Sequence, residues 1–121
     1  VRLLGMRCVG QLLASKLFVK PSQNVLRRKF VQRWAQNDKQ AYLWAVDAIM
    51  RWSVADRLGH IDVPTLLVSS DEDYTPVSAN EHIVARMPNA ELAVVDDARH
   101  ALPVERPDEF NAIVDDFLAR G

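Results

Sequence analysis

Two short, nearly continuous apolar runs constrain the fold of this chain more than any other feature. They are T-L-L-V-S-S, directly after Pro64, and A-E-L-A-V-V, which starts at Ala90. Runs of this length are typical of strands that are buried on both faces, as in a parallel sheet. The stretch between them has helical spacing, and a last helix follows with Pro107 in its first turn, where the missing N–H costs little. The second half therefore predicts an α/β fold: two parallel strands with covering helices.

The first half shows only the helical period. Residues 23–37 place Leu26, Phe30 and Trp34 about one turn apart, so we expect them on one face of a helix. The mostly apolar opening stretch, residues 1–19, is also interpreted as a helix. The chain thus begins with an all-helical segment.

Two further helices are predicted before the pattern changes near Asp62. Asp38 is a suitable N-cap for a helix that runs to about Trp52. Ser53 is expected to cap a short third helix, S-V-A-D-R-L, which Gly59 ends.

Composition excludes several classes of protein. With the single cysteine Cys8 among 121 residues, the chain can form neither an internal disulfide nor a zinc site of paired cysteines. A net charge of −1 argues against general nucleic-acid binding, and we interpret the basic cluster of the first half as a solvated helix face: Arg27, Arg28, Lys29 and Arg33. No secretory signal or membrane span is evident, so the expected compartment is cytoplasmic.

Polar loops follow both predicted strands. The first is S-S-D-E-D-Y-T-P, residues 69–76, and the second is D-D-A-R-H, residues 96–100. In open α/β sheets functional residues collect at the carboxyl ends of the strands, so these loops should lie close together. A carboxylate of the first loop could accept the Nδ1 proton of His100, which would leave Nε2 to face a substrate or a nucleophile. The residues predict an acid–base pair here.

Other interpretations of these residues stay open. Acidic residues after a strand often cap a helix or remain solvated, and a lone loop histidine is often a surface residue. His60 precedes the first strand and His82 lies within a helix, so neither is expected to be functional. A third interpretation makes the acidic residues of the two loops a magnesium site: Asp71, Asp73, Asp96 and Asp97.

Residues 61–118 resemble the C-terminal portion of an α/β-hydrolase-fold enzyme. The segments I-D-V-P-T-L-L-V-S-S-D-E-D-Y-T-P-V and M-P-N-A-E-L-A-V-V-D-D-A-R-H-A-L-P-V-E-R-P appear in the order of that family's last two strands, acid loop and histidine loop. The resemblance implies that Asp73 is the acid and His100 the base of a catalytic triad, with Asp71 as a competing acid. Ser70 departs from the family, which commonly has glycine three residues before the acid.

The helical first half resembles the latter part of the lid that this family inserts before the acid strand. On this basis residues 1–62 are a lid segment and residues 63–121 the C-terminal part of the core. Lid helices shape the substrate pocket, so three apolar side chains could line it, although the alternative, packing in a core, is the role favoured for each: Trp44, Met50 and Trp52. The segment E-R-P at 105–107 matches a structural anchor of the final helix.

The family's serine nucleophile lies in a G-x-S-x-G motif, which this chain lacks. The nearest match is M-R-C-V-G around Cys8, in which a methionine stands at the first glycine position. The resemblance therefore covers about the last two-fifths of a hydrolase that cleaves esters, lactones or related bonds, without cofactor or metal. We expect this chain alone to be inactive, and to self-associate or to pair with an N-terminal half. The alternative is a non-catalytic interaction module or half of a two-chain assembly.

Overall fold

A computed structural model describes residues 5–120 of the chain, so the part of the predicted opening helix at residues 1–4 lies outside the described residues. Internal contacts divide the chain into two compact units, which meet in sequence at Ser53 and Val54.

The first unit consists of three α-helices. They are α1 (Met6–Leu17), α2 (Asn24–Trp34), which a 3₁₀ turn at Pro21–Gln23 precedes, and α3 (Lys39–Arg51). α1 packs on α2. The two helices approach closely at Gly10, where an added Cβ would lie 2.9 Å from the Cβ of Trp34.

Aromatic rings form the centre of this unit. Phe18 is almost completely buried and contacts Phe30 edge-on, with ring centroids 5.8 Å apart. Phe30 stacks on Trp34 at 4.9 Å, and Trp34 meets Tyr42 edge-on at 5.7 Å. The predicted one-turn spacing of Phe30 and Trp34 is confirmed, because both rings face the same cluster.

Local capping explains where α3 begins. The Asp38 carboxylate accepts a hydrogen bond of 2.7 Å from the backbone N–H of Ala41, which confirms the predicted N-cap. The prediction for the next helix was wrong in type and in its cap. Residues Ala55–His60 form a 3₁₀ helix whose N-cap is Val54 rather than Ser53.

The second unit contains the sheet. Its elements are β1 (Thr65–Ser70), α4 (Val77–Val84), β2 (Ala90–Val95), α5 (Leu102–Glu105) and α6 (Pro107–Leu118). β1 and β2 pair in parallel, from Thr65 opposite Ala90 to Ser70 opposite Val95. The predicted α/β fold, with two parallel strands and covering helices after an all-helical segment, is confirmed.

A small core lies at the carboxyl ends of the strands. Val95, Ala98 and Leu102 are buried there, and side chains of β1 and α6 pack against them: Val68, Phe110 and Ile113. α6 begins at Pro107, as the position of that proline predicts. The short helix α5 was not predicted; its single turn places Leu102 in this core.

Candidate active site

Parallel pairing brings the two polar loops together. β1 and β2 end side by side, because Ser70 is opposite Val95 in the register. The loop that follows β1, residues 71–76, is called the acid loop here, and the loop that follows β2, residues 96–101, the histidine loop.

Several hydrogen bonds connect the two loops. The Ser70 hydroxyl donates to the carbonyl of Arg99 (2.8 Å), and the backbone N–H of Glu72 donates to the carbonyl of Ala98 (3.1 Å). In the other direction, the N–H of Ala98 donates to Oδ1 of Asp71 (3.2 Å). Arg99 also forms an ion pair with Glu72, with Nη2 and Oε2 2.6 Å apart. Bonds of both backbone and side chains therefore fix the distance between the loops.

Asp73 and His100 are in direct contact across these loops. Nδ1 of His100 lies 2.9 Å from Oδ2 of Asp73 and 3.2 Å from Oδ1. The backbone N–H of Thr75 donates to Oδ1 of the same carboxylate (3.0 Å), which fixes its orientation within the acid loop. The structure thus brings together the two residues that the sequence predicted as acid and base.

The geometry gives the imidazole one bound edge and one open edge. Asp73 is the more enclosed partner, with 15% of its side chain exposed, against 48% for His100. An ionised carboxylate only accepts hydrogen bonds, so Nδ1 is the donor in this contact, and in a neutral imidazole Nε2 then carries the lone pair. Nε2 makes no hydrogen bond within residues 5–120. The ring can therefore accept a proton at Nε2 from a group outside the contacts described.

The competing acid, Asp71, has a different role in the structure. It does not reach His100; it accepts hydrogen bonds from the histidine loop instead. The backbone N–H groups of Asp97 and Ala98 hold the pKa of the Asp71 carboxyl below its ordinary value. Asp97 itself has a φ of 54°, the left-handed conformation that aspartate tolerates in turns. Asp71 therefore stabilises the turn after β2.

The other sequence candidates remain apart from this pair. His82 contacts the carbonyl of Ser78 one turn earlier in α4 (2.6 Å), and His60 ends the 3₁₀ helix that precedes β1. Among the residues that the structure describes, no three His, Cys, Asp or Glu side chains are placed to hold a metal ion. The magnesium interpretation thus has no support in the geometry. Cys8 lies inside α1, not at the turn between a strand and a helix.

Sequence reasoning missed two side chains that touch the pair or its loop. The ring of Tyr74 packs on the imidazole of His100, with centroids 4.2 Å apart and planes tilted by 35°. Glu105, expected to anchor the final helix, accepts a hydrogen bond from the backbone N–H of Arg99 (2.9 Å). The position of Glu105, five residues after His100, could have indicated its contact with the histidine loop. For Tyr74 the sequence offered only its adjacency to Asp73.

A cavity of about 270 Å³ adjoins the pair. Its lining combines the two site residues with polar groups of β1 and α4 and apolar groups of α5 and α6: Val68, Ser69, Ser70, Asp73, Thr75, Asn80, His100, Leu102, Pro103 and Phe110. Ligand pockets usually measure about 300–1,000 Å³, so this cavity is of a size for a small group.

The three candidate pocket residues of the lid segment are exposed in the first unit. Trp44 is 67% exposed, Met50 80% and Trp52 68%. Core packing, the alternative considered for them, is therefore wrong.

Within residues 5–120, neither unit contains a helix that could cross a membrane.

Known proteins resemble this chain over much of its length. A 2-hydroxy-6-oxo-6-phenylhexa-2,4-dienoate hydrolase of Delftia acidovorans is 30% identical over an alignment of 135 positions. The alignment covers 93% of this chain and 47% of that enzyme. An enzyme of the same name from Burkholderia cepacia is 38% identical over 71 residues, covering 58% and 25%. The chain thus spans less than half the length of these curated relatives. No protein-family model matches it.

Solved structures agree on the fold. The enol-lactonase from Burkholderia xenovorans LB400 superposes with a TM-score of 0.90 and covers 98% of this chain, which corresponds to 46% of that enzyme. Its sequence is 23% identical, so the likeness concerns the fold alone. The two curated relatives are named as hydrolases and the solved structure as a lactonase.

Proposed function

Since this chain belongs to the α/β-hydrolase-fold family, we propose that it supplies the acid and the base of a hydrolytic Ser–His–Asp triad. The observation that carries the proposal is the contact of 2.9 Å between Nδ1 of His100 and Oδ2 of Asp73. The serine belongs to another segment, because the chain contains no G-x-S-x-G motif.

The chemistry follows from the two edges of the imidazole. Nε2 of His100 takes the proton of the serine hydroxyl while the serine oxygen attacks the carbonyl carbon of the substrate. Asp73 retains the hydrogen bond to Nδ1–H and stabilises the imidazolium. His100 then gives the proton to the leaving group, and an acyl-enzyme forms. Water repeats the sequence: it loses a proton to Nε2, attacks the acyl carbon and releases the serine.

The proposed substrates are esters, lactones or related compounds. The named activities of the relatives, hydrolysis of 2-hydroxy-6-oxo-6-phenylhexa-2,4-dienoate among them, support a carbonyl substrate. The cavity of about 270 Å³ beside His100 is lined by residues of the second unit alone. We propose that the segment with the serine provides the rest of the pocket.

Pairing with a serine-bearing segment also fits the sheet. Among residues 5–120 the sheet has two strands, so each strand has an outer edge without a backbone partner. Such edges favour pairing with a further strand. The same observation favours the alternative, a non-catalytic interaction module, in which an edge binds a partner and the Asp73–His100 pair has no chemical role.

A chimera separates these two functions. The chain would replace the matching C-terminal part of the Delftia acidovorans hydrolase, and hydrolysis of an activated aryl ester would be measured. We expect His100→Gln and Asp73→Asn to lower kcat by about 10³-fold or more, as for other triads. His82→Gln, a change in the same unit outside the pair, is the matched control. Activity retained by the His100 variant would leave only the interaction module.

The origin of the serine is tested on the chain itself. A fluorophosphonate probe reacts with an activated serine, and intact mass spectrometry counts the adducts. We expect no adduct on this chain and one on the chimera. A stoichiometric adduct on the isolated chain would show that the nucleophile is one of this chain's own serines.

A further inference from the structure

Within the proposed triad, Asp73 holds the imidazole of His100 at one edge, through Nδ1. About half of the side chain is exposed, and its hydrogen bonds run from Nδ1 to Asp73. The second torsion angle of a histidine side chain has a broad energy minimum, so a bond at one ring nitrogen leaves the ring free to tilt. A tilt displaces Nε2, the atom that must meet the serine proton. Something else must restrict the face of the ring.

Tyr74 contacts that face. The ring centroids are 4.2 Å apart, a distance at which the two rings are in van der Waals contact. Tyr74 follows Asp73 directly in the acid loop, so the backbone that places the carboxylate also places the phenol ring. The tyrosine is 70% exposed, and its ring contacts no other aromatic ring within the described residues. Packing in a core therefore does not account for its position.

We propose that Tyr74 is a positioning residue for His100, an inference that rests on the proposed function of the Asp73–His100 pair. Asp73 fixes the edge of the imidazole and Tyr74 fixes its face, so that Nε2 keeps one direction. When His100 takes up the serine proton, the imidazolium lies within the roughly 6 Å at which a tyrosine ring attracts a cation. Burial, and to a lesser extent the nearby Asp73 charge, raises the pKa of the Tyr74 hydroxyl, so the phenol is neutral beside the carboxylate.

Nuclear magnetic resonance of the isolated chain tests the contact without requiring activity. The three histidines, His60, His82 and His100, give separate ring signals, and His100→Gln identifies the third. We expect the ring protons of His100 to be shifted upfield, because they lie over an aromatic face. Tyr74→Leu should abolish this shift and speed the exchange of the Nδ1 proton with water about three- to tenfold, the factor that an aromatic contact is worth.

Tyr74→Phe is the matched variant, because it keeps the ring and loses only the hydroxyl. It should behave as the unmodified chain, and the signals of His60 and His82 should stay unchanged throughout. An exchange rate in the Tyr74→Leu chain equal to that of the unmodified chain would overturn the proposal. So would a Tyr74→Phe chain as disturbed as the leucine variant.

The chimera supplies the catalytic readout. Tyr74→Leu should lower kcat about three- to tenfold with little change in KM, and Tyr74→Phe should restore it. A leucine variant with full kcat would overturn the positioning role. Failure of the proposed function gives a different pattern: the resonance results hold, but the His100 and Asp73 variants of the chimera keep their activity.

Discussion

Removing the hydroxyl of Ser70 should destabilise the second unit and loosen the histidine loop. Ser70 is 2% exposed, and its Oγ–H donates to the carbonyl of Arg99 at 2.8 Å. A hydrogen bond of this kind contributes about 0.5–1.5 kcal/mol, and an acceptor left without a partner adds to the loss. We therefore expect Ser70→Ala to lower the free energy of unfolding by about 1–2 kcal/mol.

Urea unfolding measures this loss, and the chain offers separate probes for its two units. All three histidines lie after Val54 and all three tryptophans before it, so histidine resonances follow the second unit and tryptophan fluorescence the first. With a urea dependence of about 1–3 kcal/mol per M, the midpoint of the histidine signals should fall by about 0.3–2 M. The tryptophan signal tests whether the effect stays within the second unit.

Ser69→Ala is the matched control. Ser69 is the neighbour of Ser70 in β1 and is 4% exposed, but its hydroxyl accepts from Asn80 of α4 (2.9 Å) and does not reach the histidine loop. Both variants should lose similar stability, whereas only Ser70→Ala should move the His100 resonances. An unchanged midpoint for Ser70→Ala, or an equal disturbance of His100 by both variants, would refute the reasoning.

Two further substitutions test contacts outside the active pair. Gly10→Val should lower the free energy of unfolding of the first unit by about 1–3 kcal/mol, because the valine side chain must enter the space that Trp34 occupies. Tryptophan fluorescence during unfolding measures the loss. The control is Gly5→Ala, which has open space around it and should change stability by less than about 0.5 kcal/mol. Asp71→Asn should lower the free energy of unfolding at neutral pH, because backbone N–H groups of the histidine loop stabilise the Asp71 carboxylate in the folded chain. Because the pKa of Asp71 is lower in the folded chain, the difference from the unmodified chain should be complete above the ordinary pKa of 3.8. It should decline below that pH and vanish only as the pH falls through the lowered pKa of the folded chain, which unfolding midpoints measured along a pH series would show.

The period of the apolar residues made the second unit predictable. Strands buried on both faces have continuous apolar runs, and the loops that follow parallel strands must meet at one edge of the sheet. These two rules alone predict that the acid loop lies beside the histidine loop. They left Asp71 and Asp73 as alternatives, because a strand end does not reveal which carboxylate turns toward the neighbouring loop.

The features that sequence did not reveal depend on contacts between residues distant in the chain. The single turn of α5 has no periodicity of its own and exists because Leu102 enters the core. Tyr74 touches His100 from 26 positions away, and nothing in the type of an exposed tyrosine indicates that contact. The apolar side of α3 was also not expected to be exposed, yet Ile49 and Met50 on it are. Helical spacing identifies an apolar face but does not tell whether another part of the chain covers it.

Ser70 shows how a departure from a family pattern can be compensated locally. The resemblance predicts a glycine there, and glycine matters where the backbone is left-handed or a neighbour is too close. Within residues 5–120 the only non-glycine residue with positive φ is Asp97, so Ser70 has an ordinary backbone conformation. Its hydroxyl adds a bond to the histidine loop that glycine cannot make. Asp73 and His100 are thus oriented by bonds inside this unit, and under the proposed function a segment with the serine would have only to dock against a pair that is already arranged.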